Sequence, residues 1–430
     1  MRLIPVAAMA VLALAGSAAT AHADTLLSRA ILPSDAYQEG PPSGAAVAPN
    51  NGVTPPFPGQ PIPGFSAVLK ISGSTFWAMP DNGFGSKGNS ADFLLRLYRI
   101  RTSAKTPFGG TGKVTVLEYL QLRDPDNLVP FPIAREDRRL TGADFDLESV
   151  RRAPDGTFWF GEEFGPYLLH TDATGKVIDA PIQLPGVKAP QNHTLGSEPA
   201  NLPSSRGFEG MALTKDGTKL LPILEGALTT DTDPRRRYIR EFDLATKQYT
   251  ERSWQYRTDA DFPGAVIGDF TALDRHRFLA IERDDAQGAE ALQKKIYLVD
   301  LRKTDADGYL KKTRILDLLR IADPFGVSLP ARPGEFGVGR RFSFPLQSVE
   351  SLEVMSTGVL LIANDNNYPG SDGRWTARDR PDDTELITVL VLVRLPHANR
   401  ADFSTGCDVE LTGCHRTNIF TLYACANSGV

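Results

Sequence analysis

Acidic residues recur along this chain at the edges of short apolar runs, and their types and spacing could support metal-dependent or acid–base chemistry. In the stretch Arg206–Leu213, Glu209 lies between two glycines and precedes an apolar run. A polar turn follows, and the next apolar run ends at Glu225. The same arrangement recurs, at a nearly constant separation, in the pairs Ser66 with Asp81, Glu148 with Glu163, Asp269 with Glu282, and Glu350 with Asp365. The chain therefore repeats an acid–strand–turn–strand–acid unit whose first copy has a serine in place of one acid.

Carboxylates at the start of one antiparallel strand and the end of the next lie at the same edge of a sheet, so we expect these side chains to meet around one opening. Like charges at that density cannot all ionise without compensation. Arg206 and Arg283 each lie close in sequence to acids of the repeat, but two arginines are too few to compensate so many carboxylates. A hard cation such as Ca²⁺ takes carboxylate and amide oxygens as ligands, and Asn82, Asn364 and Asn366 would add such oxygens. Two alternatives stay open: acids that only cap strand ends, and acid–base chemistry without a metal.

Each unit continues with further alternating stretches, which predicts four antiparallel strands per unit. Third stretches such as Tyr238–Phe242 and Lys295–Val299 show the alternation and the β-branched and aromatic residues typical of strands. Repeated four-stranded units predict an all-β fold, a β-propeller of five blades, with six blades as the alternative. The predicted blades span residues 65–123, 146–185, 207–257, 268–316 and 349–396.

The fifth unit lacks a fourth strand, and the N-terminal run Leu26–Leu32 has no unit of its own. Pairing the two would close the ring and cover an otherwise open sheet edge. Residues 33–63 are rich in proline and glycine and are interpreted as an ordered crossing segment or lid. A sixth blade would have to lie within 30–63 or 317–347, and a short helix is predicted over 315–321.

The two ends of the chain carry other signals. Residues 1–23 combine an early arginine, an apolar run and an Ala-x-Ala site, which predicts a signal peptide and export to the periplasm or the medium. Residues 24–396 then form the propeller domain. The tail at 397–430 holds all three cysteines, and a Cys407–Cys414 disulfide would leave Cys425 unpaired. No other stretch is apolar enough to span a membrane, and the net charge of −5 without long Lys/Arg runs argues against nucleic-acid binding.

Five short segments carry a family resemblance, and these are Asp144–Ser149, Gly161–Tyr167, Arg206–Leu213, Ile281–Asp284 and Ala363–Asn367. Together they are similar to motifs of the bacterial phytase-like family described as having esterase-like activity of phytase, over residues 60–396. The resemblance implies an exported β-propeller that hydrolyses phosphate esters with acidic catalytic residues. The residues that it implies are Asp146, Glu148, Glu163, Arg206, Glu209, Glu225, Glu282, Asp284, Glu350 and Asp365. This chain departs from the pattern at Ser66, which is not acidic, and at Ser205, where asparagine is expected.

We therefore predict a secreted phosphoric-ester hydrolase that holds Ca²⁺, or another divalent cation, in a rim of carboxylates and activates water. The predicted catalytic residues are Glu148, Glu163, Glu209, Arg206 and Arg283, with the arginines clamping phosphate. The predicted metal ligands are Asp81, Asp146, Glu148, Glu163, Glu209, Glu225, Asp269, Glu282, Asp284, Glu350 and Asp365. The expected partner is a small phosphorylated or ester substrate, and a monomer is expected. The alternatives are a Ca²⁺-dependent lactonase or carboxylic esterase, and a binding propeller without catalysis.

Overall fold

Residues 24–391 are described by the computed structural model, and their regular secondary structure is almost entirely β-strand. The one helix in that range is a single 3₁₀ turn at Gly288–Glu290, and none there has the length and apolar character needed to cross a membrane. The predicted signal peptide and the predicted cysteine-bearing tail lie outside the described residues. The strands in chain order are β1 (Thr25–Leu32), β2 (Tyr37–Gln38), β3 (Gln60–Pro61), β4 (Ala67–Ser72), β5 (Thr75–Met79), β6 (Arg96–Ser103), β7 (Lys113–Gln121), β8 (Leu147–Arg152), β9 (Phe158–Glu162), β10 (Tyr167–Thr171), β11 (Ile182–Gln183), β12 (Phe208–Leu213), β13 (Lys219–Leu224), β14 (Arg236–Asp243), β15 (Gln248–Arg257), β16 (Val266–Ala272), β17 (Arg277–Arg283), β18 (Lys294–Thr304), β19 (Leu310–Asp317), β20 (Ile321–Ala322), β21 (Arg341–Phe342), β22 (Ser348–Ser356), β23 (Val359–Asp365) and β24 (Thr384–Leu390).

Most strands form four-stranded antiparallel sheets that follow one another along the chain. Three of these sheets are separate, with the strand orders β8–β9–β10–β11, β12–β13–β14–β15 and β16–β17–β18–β19. Two further antiparallel sets, β4–β5–β6–β7 and β22–β23–β24–β1, are joined into one larger sheet by a parallel pairing of Ile31 on β1 with Lys113 on β7. The predicted all-β fold of four-stranded antiparallel units is therefore confirmed.

The N-terminal strand supplies the fourth strand of the last set. β1 runs antiparallel to β24 from Thr25, opposite Leu390, to Leu32, opposite Thr384. This pairing covers the edge of β24, which would otherwise expose unpaired backbone groups. The pairing that was predicted from the spare N-terminal run is therefore observed.

The first strand of each set lies at the centre of the fold. These inner strands, β4, β8, β12, β16 and β22, contact one another in a closed cycle. Neighbouring sheets pack apolar faces together: the ring centroids of Trp77 and Phe158 are 5.7 Å apart, and those of Trp159 and Phe242 are 5.2 Å apart. The core is thus divided into apolar layers between adjacent sheets, and the arrangement is propeller-like.

Two connecting segments complete the fold. The predicted helix at 315–321 is wrong, because β19 continues to Asp317 and the chain turns before β20 begins. The Asp317 carboxylate accepts a hydrogen bond from the Leu319 amide at 3.1 Å, and such local bonding favours a turn over a helix. Residues 33–63 contain the β2–β3 hairpin and cross to the last sheet, where the Asn366 amide donates to the Pro63 carbonyl at 2.9 Å.

Candidate functional site

Three acids of the repeat lie at matching irregularities in the inner strands. In β8, the pairing with β9 passes from Leu147 directly to Ser149, so Glu148 has no partner across the sheet. Glu209 is skipped in the same way in β12, and Glu350 in β22. Successive side chains of a strand point to opposite faces of the sheet, and a β-bulge of this kind changes the direction of the skipped side chain. Each bulge therefore presents one carboxylate at the start of an inner strand.

A second acid follows the neighbouring strand at the same position relative to the bulge. Glu163 comes directly after β9, Glu225 comes directly after β13, and Asp365 is the last residue of β23. In the first sheet, Asp81 holds the equivalent position after β5, and Ser66 holds the position of the bulged acid. The repeated spacing in the sequence therefore corresponds to two structural positions. One is the bulged residue of the inner strand, and the other is the residue at the end of the strand next to it.

The fourth sheet breaks this pattern, which explains why Asp269 and Glu282 lie outside the site. The skipped residue in β16 is Gly268, and the residue equivalent to Glu163 is Arg283. Gly268 and Arg283 have the same separation in sequence as Glu148 and Glu163, whereas Asp269 and Glu282 are closer together. The sequence prediction therefore selected two acids that are each one residue away from the site position, on the side of the turn that joins the two strands.

The oxygens of Asp269, Glu282 and Asp284 are instead used within the fold. Asp269 Oδ2 accepts a hydrogen bond from the Leu352 amide at 2.8 Å. Glu282 accepts a hydrogen bond from the Lys312 ammonium, and Asp284 Oδ2 accepts two from amides of its own loop at 2.8 and 2.9 Å. These three predicted ligands bind neighbouring strands and loops, and they do not line the cavity formed by the other acids.

The other predicted site residues surround one open cavity of about 230 Å³. Its lining acids, which we call the acid cluster, are Asp81, Asp146, Glu148, Glu163, Glu209, Glu225, Asp285, Glu350 and Asp365. The rest of the lining is Arg206, Arg283, Asn82, Gly85, Ser205, Gln347, Ser348 and Asn367. The sequence prediction missed Asp285, Gln347 and Ser348. All three lie within three residues of predicted positions, so a wider window around each motif could have found them.

The carboxylates of the acid cluster are close enough to share bound cations. One oxygen per residue lies within 4.8 Å of the others in three groups, which are Asp81–Asp146–Glu148, Glu148–Glu209–Glu350 and Glu163–Glu209–Glu225. Glu148 and Glu209 each belong to two groups. The groups therefore form one continuous cluster across several sheets.

Both arginines of the cavity are already bound to acids of the cluster. Arg283 Nη2 lies 2.9 Å from Glu350 Oε1, 3.3 Å from Glu225 Oε1 and 3.4 Å from Glu209 Oε1. Arg206 also pairs with Glu225, but its side chain is 33% exposed, whereas that of Arg283 is 7% exposed. Arg283 therefore braces the inner acids, and Arg206 is the guanidinium that remains accessible at the rim.

Burial and mutual repulsion raise the pKa values of acids in the cluster. Burial raises the pKa of Asp81 to about 8 and that of Asp146 to about 7, and it is the largest cause of both shifts. It is also the largest cause for Glu163 and Glu209, whose pKa values lie well above the usual range because the neighbouring Glu225 carboxylate adds to the effect of burial. The cluster therefore needs protons or bound cations to compensate its charge.

The donor atoms of the cavity fit a hard divalent cation. Carboxylates, amides and hydroxyls supply them, and no histidine or cysteine is among the lining residues. Ca²⁺ binds such oxygen ligands. Asp146 Oδ1 and Glu163 Oε1 are buried without a hydrogen-bond partner among residues 24–391, although buried polar atoms are normally paired. A cation bound in the cluster would satisfy both oxygens.

We expect Gly268→Ala to destabilise the protein, because the bulge in β16 leaves no room for a side chain. An added Cβ would lie 2.2 Å from the Val349 carbonyl oxygen of β22, and this backbone cannot shift without disturbing an inner strand. Overpacking of this kind costs about 1–3 kcal/mol. Urea unfolding should detect the loss, whereas Gly264→Ala, with nothing within 4 Å of the added Cβ, is the matched control. Equal stability of the two variants would contradict this account of the bulge.

The thermal stability of the cation-free protein is expected to fall as pH rises. Asp81 and Asp146 have pKa values of about 8 and about 7 in the folded protein, against about 4 when unfolded. The protons that they retain stabilise the fold below the unfolded pKa, and this stability is lost as pH rises through the folded values. In EGTA, Tm should fall by about 5 °C between about pH 5 and pH 8.

Ca²⁺ should remove most of that slope, because a bound cation replaces the protons. Asp81→Asn/Asp146→Asn should flatten the slope in EGTA, whereas Asp307→Asn at an exposed turn should leave it unchanged. The measurement is a thermal melt at each pH with and without Ca²⁺. A Tm that rises with pH in EGTA would contradict the raised pKa values.

Comparisons with known proteins find a matching family model and a more distant relative. A family model described as "Phytase-like: Esterase-like activity of phytase" matches residues 60–368. An uncharacterized secreted protein of Arthroderma benhamiae is 24% identical in an alignment of 236 residues that covers 40% of this chain. The match spans 45% of the length of that relative.

Two solved structures show weak overall likeness. A GH43 endo-arabinanase from Bacillus licheniformis has a TM-score of 0.36 at 12% identity, covering 74% of this chain and 92% of that one. A protein of unknown function from Dyadobacter fermentans has a TM-score of 0.38 at 10% identity, covering 79% of each chain. These likenesses are too weak to support an inference.

Proposed function

This chain belongs to the phytase-like family, and from that membership we propose that the acid cluster is the active site of a phosphoric-ester hydrolase. The observation that carries the proposal is the meeting of nine carboxylates and two arginines around one open cavity. Phosphoryl transfer is catalysed mainly by positioning and by charge stabilisation, and it requires no protein nucleophile. A cavity of this composition suits that chemistry once a cation compensates its negative charge.

Ca²⁺, or another divalent cation, is the proposed cofactor. Its proposed ligands are Asp81, Asp146, Glu148, Glu163, Glu209, Glu225, Glu350 and Asp365. Asp269, Glu282 and Asp284 are left out of this set because their oxygens bind neighbouring strands and loops. A bound cation would supply positive charge that stabilises a phosphoryl group during transfer. The three overlapping groups of acids favour more than one cation.

The side chains of the cavity have three proposed roles. Glu148 and Glu209 each belong to two of the three groups of acids, so they are proposed to link these groups into one site. Glu163 is the candidate to accept a proton from the attacking water, because burial and the neighbouring Glu225 raise the pKa of its carboxyl above the usual range. Arg206 is the candidate to bind a phosphoryl oxygen at the rim, whereas Arg283 positions the acids around it.

A small phosphomonoester or phosphodiester is favoured over phytate as the substrate. A densely phosphorylated substrate needs several uncommitted cationic groups, and no lysine is among the lining residues of the cavity. Lys87 Nζ donates to the Gln191 carbonyl at 2.8 Å, and Lys188 Nζ pairs with Glu198 at 2.9 Å, so both lysines of the nearby loops are committed. The proposed substrate therefore carries one or two negative charges on a single phosphate group.

We further infer a five-bladed propeller within residues 24–396. The cycle of inner strands and the common register of the site positions in all sheets favour five blades over six. The predicted signal peptide at 1–23 and a relative that is named a secreted protein support export, to the periplasm or beyond. The proposed active site lies within one chain, which is compatible with a monomer.

The proposal is tested by assaying the purified chain against panels of phosphomonoesters, phosphodiesters and lactones, each with Ca²⁺ and with EGTA. We expect phosphoester hydrolysis that requires Ca²⁺, together with at least one bound cation per chain. Lactone opening without phosphoester hydrolysis would reassign the site to carboxylic esters. A lower Tm on chelation without turnover in any panel would indicate a binding propeller, and failure to bind any divalent cation would overturn the metal site.

A further inference from the structure

A second cavity lies at the opposite end of the inner strands from the acid cluster. Its volume is about 200 Å³, and it is lined by residues of all five inner strands and of the turn after β12. In β8, Glu148 belongs to the acid cluster and Arg151 belongs to this second cavity. Their separation of three positions along the strand corresponds to about 10 Å. The two cavities are therefore separate sites on the same inner strands.

The charge of this second cavity is opposite to that of the acid cluster. Four cationic side chains line it, and they are Lys70, Arg151, Arg152 and Lys215. The one acid among its lining residues is Glu353. We call these five residues the basic mouth. The cations come from β4, from β8 and from the turn after β12, so separate sheets converge on one concavity.

The cations of the basic mouth are only partly neutralised within the protein. Arg151 pairs with Asp269 at 3.3 Å, so its charge is compensated. Lys70 Nζ makes a long contact of 3.5 Å to a backbone carbonyl, and Lys215 makes no hydrogen bond or ion pair with any residue in 24–391. The single carboxylate of Glu353 faces both lysines and Arg151. Positive charge therefore exceeds negative charge in this cavity.

We propose that the basic mouth binds a phosphate-class oxyanion. Lys70 and Lys215 are the primary contacts, and Arg152 is at the rim. Thr271 adds a hydroxyl to the wall, and the leucine, valine and alanine side chains that form the rest of it limit the screening of these charges by water. Several converging cations favour an oxyanion with more than one negative charge over a simple carboxylate. This site is independent of the proposed hydrolase function, because none of its residues belongs to the acid cluster.

The test is calorimetric titration of inorganic phosphate into the full chain in EGTA at constant ionic strength. Without a divalent cation the acid cluster lacks the positive charge that phosphate binding there would require, so binding of one phosphate per chain is expected at the basic mouth alone. Lys70→Gln/Lys215→Gln should raise Kd by about tenfold or more, because two charge-assisted contacts are lost. Lys303→Gln, at a lysine that is 67% exposed on another surface, is the matched control and should leave Kd unchanged.

Glu353→Gln provides a test of opposite sign. Removing the one lining carboxylate should tighten phosphate binding by about threefold or more, an effect that a damaged fold would not produce. Phosphoester hydrolysis is measured in a separate assay, so an absence of hydrolysis can be distinguished from an absence of phosphate binding at the basic mouth. Unchanged affinity in both the double-lysine and the Glu353 variants, acetate binding as tight as phosphate binding, or phosphate binding that appears only with Ca²⁺ would each overturn the proposal.

Discussion

Glu209→Gln is expected to lower kcat/KM for a phosphoester substrate by at least about a hundredfold and to remove at least one bound cation per chain. Glu209 belongs to two of the three groups of acids that could share a cation, and its carboxylate is buried at a bulge of β12. Glutamine keeps the size of the side chain but removes its charge. The two groups that share Glu209 should therefore lose cation affinity together.

The cation-free form of this variant should keep its thermal stability. Burial and the neighbouring Glu225 carboxylate raise the pKa of Glu209, so its negative charge is unfavourable in the cation-free cluster and its removal should cost little stability there. Ca²⁺ should raise Tm less in the variant than in the wild type. Glu353→Gln is the control, since it removes an inner-strand acid at the other end of the fold. Full cation occupancy with unchanged hydrolysis in Glu209→Gln would remove this residue from the mechanism.

The parts of the fold that the sequence could predict are those encoded in contiguous residues. Strand alternation, a turn and a flanking acid all lie within one repeat, so the four-stranded units and the convergence of acids such as Glu148 and Glu350 follow from local patterns. The pairing of β1 with β24 joins the two ends of the described chain. It was predictable because counting strands left a spare run near the N-terminus and a last unit that was one strand short.

The differences between the predicted ligand set and the residues that line the cavity arise from backbone register, which residue types alone do not reveal. In the fourth sheet the bulge falls at Gly268, and the two site positions hold a glycine and Arg283 instead of two acids. Asp269 and Glu282 lie closer together in sequence than the acids of any other pair, and this irregular spacing was the available signal. The contacts of Arg283 with acids of other sheets depend on the closed cycle of strands, and no local pattern encodes them.

Glu385→Gln is expected to lower the free energy of unfolding by about 3–5 kcal/mol, because it removes the charge of a buried carboxylate that two arginines share. Glu385 on β24 binds Arg29 on β1 through Nε at 2.8 Å and Nη2 at 2.9 Å. It also binds Arg374, which is fully buried, through Nε at 2.7 Å. The substitution would leave both guanidiniums without this carboxylate. Since Arg29 lies on the N-terminal strand, the loss should also expose β1 to proteolysis.

Urea unfolding of Glu118→Gln provides the control for this prediction. Glu118 pairs with Arg99 at the same 2.8 Å, but the two side chains are 53% and 41% exposed, so its loss should cost at most about 1 kcal/mol. Similar losses in the two variants would show that the Glu385 ion pair does not hold β1 in place.

The pH dependence of Glu385→Gln separates a charge effect from a packing defect. Burial alone would raise the pKa of Glu385, but Arg29 and Arg374 lower it to about 2, against about 4.3 in the unfolded chain. A depressed pKa stabilises the fold above the unfolded value, and that stability is lost as pH falls through the folded value. The unfolding free energies of wild type and variant should therefore differ most near neutral pH and converge as pH approaches about 2. A difference that stays constant down to that pH would instead assign the loss to packing around the glutamine side chain.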